Sequence, residues 1–131
     1  MSRLCPCESK LTFDRCCQPF IDGAAFPDTA ERLMRSRFTA YSMGRADYLV
    51  ATTAREEREK LDAEELRKYC KAVKCISLRI LGAEAGGPGD ETGTVTFHAK
   101  LLINGRRMLH REKSRFVRED GHWAYVDGET N

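Results

Sequence analysis

Four of the six cysteines in this 131-residue chain lie within thirteen residues, in the stretch LCPCESKLTFDRCC. The spacing, C-x-C-x8-C-C, forms two close pairs: Cys5 with Cys7, and Cys16 with Cys17. A tetrahedral Zn²⁺ ion needs four soft ligands at about 2.3 Å, and two close pairs joined by a short loop supply them without a hydrophobic core. The spacing therefore predicts one zinc site with four thiolate ligands.

Two other interpretations of this cysteine cluster are weaker. Disulfides are rare in the cytosol, and the chain starts without the apolar stretch of a secretory signal. Plain apolar cysteines are unusual in so short and polar a segment. We therefore expect a cytoplasmic protein whose zinc ion is structural, since four thiolates leave no coordination position open for water or substrate.

The composition is that of a globular domain, with 41% hydrophobic and 32% charged residues. No apolar run approaches the roughly 18 residues of a membrane helix, so we expect no membrane span. The formal net charge is +2, and four thiolates around one Zn²⁺ ion would bring it near zero. So weak a charge argues against a nucleic-acid partner.

Two capping boxes mark the starts of helices between about residues 28 and 73. Asp28-Thr29-Ala30-Glu31, with Asp28 as the N-cap, opens the segment AERLMRSRFTAYSM, which Gly44 ends. Asp62-Ala63-Glu64-Glu65 opens another helix, which carries Cys70 on its apolar stripe. A short helix is expected between the two.

Two-residue turn signals organise the C-terminal half. Asn104-Gly105 and Asp120-Gly121 are hairpin turns flanked by alternating sequence. The predicted strands are Cys75 to Leu81, Thr94 to Ile103, Arg106 to Glu119 and His122 to Asp127. Helices followed by an antiparallel sheet predict an α+β domain with the helices packed on one sheet face.

The hairpin register predicts a polar cluster at one end of the apolar sheet face. Tight turns fix register, which places Phe97 opposite Glu112, Ala99 opposite His110, and Ser114 opposite both Val95 and Asp127. Arg37 lies in the middle of the apolar stripe of the first long helix, so it is the cation expected to meet the cluster. The predicted pocket residues are Arg37, Tyr41, His110, Glu112, Ser114, Trp123, Tyr125 and Asp127.

Two interpretations of this polar cluster stay open. A buried carboxylate must be paired, protonated or open to water, and a structural ion pair beneath a helix satisfies that requirement. The other interpretation is a ligand pocket. A single β-bulge would change part of the face assignment.

On the opposite face, a row of cations without aromatic residues is typical of a solvated surface: Lys100, Arg107, Arg111, Lys113 and Arg115.

The segment CPCESKLTFDRCC resembles the SEC-C motif, a zinc-binding module found at the C-terminus of the preprotein translocase ATPase. The usual motif reads Cys-Pro-Cys-Gly-Ser-Gly, then a lysine-rich stretch with an aromatic residue, then Cys-Cys or Cys-His. All four ligand positions match here, as do Pro6 and Ser9, while Glu8 and Lys10 replace the two glycines. The resemblance implies a zinc knuckle over about residues 1–22.

Two further segments, AERLMRSRFTAYSMGRADYL and REKSRFVREDGHWAYVDG, resemble the YchJ-like family of bacterial proteins. The resemblance implies a nuclear-transport-factor-like (NTF2-like) cone over residues 28–131, in which helices pack on a curved antiparallel sheet around a pocket. Where that family has Thr-Trp-His-Pro, this chain has Thr52-Thr53-Ala54-Arg55, so no role of that histidine carries over. The family supplies no established activity.

Three functions follow as hypotheses. By resemblance to the translocase module, the first is a binding or adaptor protein whose zinc knuckle docks to a protein partner, with positive charge from Arg3, Lys10 and Arg15. Its cone would hold a small ligand. The second is a small pocket enzyme of the isomerase, dehydratase or hydrolase type, using His110 with Asp127 or Glu112 as acid and base. The third, weaker hypothesis is redox or metal sensing through the cysteines.

Overall fold

Helices occupy the first half of the chain and a four-stranded antiparallel sheet the second, as predicted. The computed structural model describes residues 3–130, so residues 1 and 2 of the predicted knuckle and residue 131 of the predicted cone lie outside the described residues. After a 3₁₀ turn (Phe13–Arg15) come α1 (Gln18–Ile21), α2 (Ala30–Met43), α3 (Ala46–Ala51), α4 (Arg55–Arg58) and α5 (Ala63–Ala72). The strands are β1 (Val73–Ala85), β2 (Thr92–Ile103), β3 (Arg106–Glu119) and β4 (His122–Thr130), in spatial order β1-β2-β3-β4.

The long helix α2 begins one residue later than its capping box suggested. Thr29, not Asp28, is the N-cap, and its hydroxyl accepts a hydrogen bond of 3.1 Å from the Arg32 amide. Gly44 ends the helix with a left-handed φ of 71°, a conformation in which glycine has no Cβ penalty. At α5 the prediction is confirmed, because the Asp62 carboxylate accepts from the amides of Glu64 and Glu65.

The β2–β3 hairpin has the predicted register, which places Phe97 opposite Glu112 and Ala99 opposite His110. Strand β1 is longer than predicted and carries irregularities between Cys75 and Ser77 and between Ile80 and Gly82. The register pairs Met108 with the buried Leu101 on the inner face, but Met108, the third residue after the hairpin turn, is 52% exposed.

The β3–β4 pairing contains a bulge that the sequence prediction lacked. Phe116 lies opposite Tyr125 as predicted, but the next pair is Arg115 with Asp127, so that Val126 is an extra residue. Beyond the bulge, Ser114 lies opposite Gly128. The predicted pairing of Ser114 with Asp127 is therefore wrong, because one inserted residue reverses the faces of every residue that follows.

One apolar core joins the N-terminal cysteine segment to the helices and the sheet. Cys5, Cys7 and Cys17 are buried in the same cluster as Leu33 of α2 and Phe116 of β3. Helix α2 contacts β1, β2 and β4 on one side and α1 on another. The cysteine segment therefore lies on the helical side of the sheet. Within residues 3–130, no helix has both the length and the apolar character needed to cross a bilayer.

Candidate functional site

A small hairpin-like loop brings the two cysteine pairs together. Leu4 and Thr12 form an isolated antiparallel bridge, the Cys5 amide donates to the Leu11 carbonyl at 2.8 Å, and the Phe13 amide donates to the Arg3 carbonyl at 2.9 Å. The 3₁₀ turn then directs the chain back toward its start. Cys16 and Cys17 thereby reach Cys5 and Cys7 although eight residues separate the pairs.

The four sulfur atoms are spaced as a tetrahedral metal requires. All four lie within 4.8 Å of one another, with Sγ–Sγ distances of 3.5 Å between Cys7 and Cys16 and 3.8 Å between Cys16 and Cys17. Metal–sulfur bonds of about 2.3 Å place tetrahedral sulfurs roughly 3.8 Å apart. All six cysteines are free, so no disulfide competes for these four. The donor set fits a closed four-thiolate metal site.

Polar groups around the sulfurs complete the cluster. The Thr39 hydroxyl, fully buried on α2, donates to Cys17 Sγ at 3.3 Å and lies 3.7 Å from Cys5 Sγ. Ser9 Oγ lies 3.1 Å from Cys16 Sγ. Arg35 of α2 donates to the Cys7 carbonyl at 2.8 Å. Such contacts orient ligands and tune a metal.

Sequence reasoning missed the roles of Thr39 and Arg35. Thr39 lies 22 residues from Cys17 in the chain, and the docking of the cysteine loop on α2 brings the two side chains together. Ser9 alone had a signal in the sequence, since it is one of the positions that match the SEC-C pattern.

The close approach of the thiols separates their pKa values. Hydrogen bonds from Cys17 and Cys7 lower the pKa of Cys5, whereas the hydrogen bond with Cys5 raises the pKa of Cys17. Burial raises the pKa of Cys16 to about 11. A divalent cation at the centre of the four sulfurs would allow all of them to ionise, because metal binding replaces thiol protons.

The residues that replace the two SEC-C glycines keep a glycine-like backbone. Glu8 has φ 65° and Lys10 has φ 73°, both in the left-handed region. This region costs an L-residue with a Cβ about 1 kcal/mol relative to its preferred conformations. The turn between the cysteine pairs therefore keeps the geometry that glycine favours, and the substitutions cost stability without displacing the ligands.

A separate cavity of about 240 Å³ lies between the helices and the inner face of the sheet. Its wall includes five of the predicted pocket residues, namely Arg37, Tyr41, His110, Glu112 and Tyr125. The remaining wall is mostly apolar and was not predicted as a pocket: Met34, Phe38, Tyr69, Val73, Cys75, Phe97, Ala99 and Leu101. Tyr69 lies on α5, Val73 begins β1 and Phe97 lies on β2, so the cavity that they share depends on how α5 packs against the sheet.

Glu112 is the centre of a hydrogen-bond network at the polar end of this cavity. Its Oε1 lies 2.8 Å from His110 Nε2, and its Oε2 accepts from the hydroxyls of Ser114 and, at 3.2 Å, Tyr125. The Glu112 side chain is only 12% exposed, against 37% for His110. The carboxylate is thus satisfied by neighbouring side chains. Burial raises the pKa of Tyr125, and the Glu112 charge raises it further, so Tyr125 remains a donor.

Arg37 does not form the predicted ion pair with the carboxylates. Its Nη1 donates to the Leu49 carbonyl at 2.9 Å and to Thr52 Oγ1 at 2.8 Å, which ties α2 to the end of α3. Its guanidinium lies over the Tyr125 ring, 4.4 Å from the centroid. Within residues 3–130, no salt bridge includes Arg37. Burial lowers its pKa.

Three predicted pocket residues lie elsewhere. Ser114 is fully buried behind Glu112 rather than in the cavity wall. Trp123 is buried at the other end of the sheet, where its indole N–H donates to the Asp28 carbonyl at 3.1 Å. Asp127 is on the opposite face because of the Val126 bulge, and its side chain is 48% exposed. The Arg115 guanidinium, 2.5 Å away, lowers the pKa of Asp127.

The fold and the cysteine cluster define the class: an NTF2-like α+β domain with a SEC-C-type cysteine motif at its N-terminus. The family model described as "YchJ, middle NTF2-like domain" matches residues 29–128. The chain therefore belongs to the YchJ family.

Curated relatives share nearly the whole chain. A UPF0225 protein of Geobacter sulfurreducens is 38% identical over 128 residues, which cover 98% of this chain and 80% of the relative. A UPF0225 protein of Chromobacterium violaceum is 40% identical over 125 residues, covering 95% and 90% respectively.

Two solved structures are similar throughout. The solution structure of a SEC-C motif containing protein from Rhodopseudomonas palustris is 34% identical with a TM-score of 0.88, covering 97% of this chain and 98% of that one. The crystal structure of a SEC-C motif containing protein from Psychrobacter arcticus is 25% identical with a TM-score of 0.83, covering 98% and 83%.

Proposed function

We propose that this protein is a cytosolic, zinc-stabilised adaptor. Its zinc knuckle would dock to a protein partner, and its cone would hold a small ligand. The observation that carries the proposal is the convergence of four cysteine sulfurs within 4.8 Å, in a chain whose six cysteines are all free. The sulfurs satisfy the ligand number and spacing of structural zinc, and free thiols suit a reducing compartment.

The exposed surface of the knuckle supports its docking role. Leu4 is 65% exposed and Leu11 is 53% exposed, and each has an exposed cation beside it in the chain, Arg3 and Lys10 respectively. Apolar side chains rimmed by charge are typical of interaction sites. Since Cys5, Cys7 and Cys17 are buried and Cys16 is half-buried, we infer that zinc shapes this surface from below.

Zinc binding is tested by native mass spectrometry of protein purified without chelator. We expect one zinc ion per chain. The double variant Cys16→Ser/Cys17→Ser should lose it, while the matched control Cys70→Ser/Cys75→Ser should retain it. Wild-type protein without metal, or a control that loses the metal equally, contradicts the proposal.

Docking is tested with variants that leave the ligands intact. Leu4→Ser/Leu11→Ser should keep zinc yet lose proteins that the wild type captures from a bacterial lysate. The control Ile76→Ser/Leu81→Ser removes two comparably exposed side chains on β1 and should keep them. If the wild type and both variants capture the same proteins equally well, Leu4 and Leu11 do not form a docking surface.

The cavity supports an alternative function, that of a small pocket enzyme. His110 Nε2 is 2.8 Å from Glu112 Oε1, which leaves Nδ1 as the ring nitrogen free to exchange a proton with a ligand. In this hypothesis Glu112 orients the imidazole and compensates its charge. The exposed Asp127 is no longer a candidate acid or base, since it pairs with Arg115.

Ligand-observed NMR with a library of small, largely apolar molecules tests the cavity. Binding that Ala99→Leu abolishes, by filling the space, would support a ligand site. Turnover of a bound compound that is lost in His110→Ala, with binding retained, would favour the enzyme over the adaptor. A library without any binder in the cavity counts against both roles of the cone.

A further inference from the structure

The outer face of the sheet, away from the helices, carries a cationic patch. Side chains alternate along strands, so residues next to the cavity-lining positions of β1, β2 and β3 point away from the helical layer. The patch comprises Lys74, Arg79, Lys100, Arg107 and Arg111, all exposed. Within residues 3–130, no salt bridge includes any of these five.

Acidic side chains of the same face are confined to its other end. Glu84 lies 3.5 Å from Lys113, and Asp127 pairs with Arg115. Glu129 lies opposite Lys113 in the β3–β4 register. The charges at that end compensate one another, whereas the cationic patch keeps its positive charge although the net charge of the chain is only +2.

Like charges also lie side by side within the patch. The register pairs Lys100 with Leu109, so Lys100 lies diagonally between Arg107 and Arg111 of the neighbouring strand, within reach of both long side chains. Like charges placed so closely repel one another. An anionic partner would compensate this repulsion.

The patch is also partly apolar. Leu109, 47% exposed, lies next to Lys100, and Leu102 lies between Lys74 and Arg107. No Phe, Tyr or Trp is present on the outer face of β1, β2 or β3. Nucleic-acid surfaces on sheets use aromatic rings for base stacking. The combination of leucines and cations therefore favours a protein partner over a nucleic acid.

A second copy of this chain does not fit in a two-fold dimer centred on the patch, because the unpaired cations of the two copies would then face each other. The dimensions instead suit one helix: neighbouring strands are about 4.8 Å apart, so three strands span about 10 Å, close to the diameter of an α-helix.

We propose that this cationic patch docks an acidic amphipathic helix of a partner protein, whose carboxylates pair with the five cations while its leucine-like side chains cover Leu102 and Leu109. The site lies on the face of the sheet opposite the helices and the cysteine knuckle. It does not depend on zinc binding or on the cavity.

Fluorescence anisotropy with a labelled helical peptide that carries Glu and Leu on one face tests this proposal. We expect binding that weakens as salt rises from about 0.05 M to about 0.5 M, because screening shortens the range of the charges. The same peptide with Gln in place of Glu should not bind. Lys100→Gln/Arg111→Gln should weaken binding roughly tenfold.

The matched control is Lys68→Gln/Lys71→Gln, which removes the same charge from exposed positions of α5. It should bind like the wild type. Equal weakening in both double variants would show a net-charge effect and overturn the proposal, as would failure of the wild type to bind. Tighter binding of single-stranded RNA or of vesicles containing phosphatidylglycerol would also overturn it, by assigning the patch to another partner class.

Discussion

Gly128 of β4 lies directly against the Glu112 side chain, so that an ideal Cβ on Gly128 would overlap the Glu112 carboxyl group. The φ of Gly128 is not in the left-handed region, so glycine is required here by space and not by backbone conformation. The Val126 bulge brings Gly128 opposite Ser114. The position of the buried carboxylate therefore depends on a residue without a side chain.

Gly128→Ala should displace Glu112 and break its hydrogen bonds to His110 and Tyr125. We expect a loss of about 1–3 kcal/mol in the free energy of unfolding, as for other overpacked sites. Chemical denaturation measures it, and NMR of the His110 ring reports the lost contact. The control Gly82→Ala meets open space and should not destabilise. An unchanged His110 spectrum in Gly128→Ala would refute this packing.

Glu8→Gly and Lys10→Gly should each stabilise the metal-loaded protein. Both residues have left-handed φ values, so glycine relieves about 1 kcal/mol of backbone strain. The higher conformational entropy of glycine in the unfolded chain offsets part of this gain. Thermal denaturation measures the gain. Thr12→Gly is the control, since Thr12 has φ −70°, and it should destabilise. If all three glycine substitutions destabilise the protein, the backbone at Glu8 and Lys10 is not strained.

Thr39→Val should weaken zinc binding without removing a ligand. The Thr39 hydroxyl donates to Cys17 Sγ, and loss of such an outer contact typically costs about tenfold or more in metal affinity. Competition with a chromophoric chelator measures the affinity. Ser42→Ala on the same helix removes a hydroxyl that donates to the Thr39 carbonyl and not to sulfur, so it should leave the affinity unchanged. Equal affinities in the wild type and Thr39→Val would exclude this role.

Stability should fall as pH rises from about 10 to about 12, in part because of Tyr48. Burial raises the pKa of Tyr48 to about 12 from a model-compound value of 10.0. As pH rises, the unfolded chain therefore loses the Tyr48 hydroxyl proton before the folded chain does. The stability that the buried, neutral Tyr48 contributes is complete below pH 10 and declines until the pH reaches the folded pKa.

Tyr48→Phe should reduce this pH dependence by about 2 kcal/mol, measured by denaturant titration across the range. The Ser36 hydroxyl, which contacts Tyr48, keeps its bond to the Leu33 carbonyl in that variant. Tyr69→Phe, at a residue 40% exposed, should have a smaller effect. Identical pH profiles for Tyr48→Phe and the wild type would contradict the assignment.

The sequence by itself determined the features that depend on short-range geometry. Cysteine spacing brought four ligands together because eight residues suffice to return the chain to its start. Asp62 and Gly44 set helix ends through local hydrogen bonds and backbone conformation. The Asn104-Gly105 turn fixed the register of β2 on β3 and thereby placed His110 and Glu112 on the inner face.

The tertiary structure decided the contacts between residues that are distant in the sequence. Val126 enters β4 as a bulge, which moves Asp127 to the outer face and Gly128 against Glu112. Arg37 reaches the end of α3 rather than a carboxylate, and its Nη1 donates there to the Leu49 carbonyl and to the hydroxyls of Thr52 and Thr53. Thr39 meets Cys17 only after the knuckle docks on α2. No local pattern encodes these contacts, because each joins segments whose distance is set by the packed core.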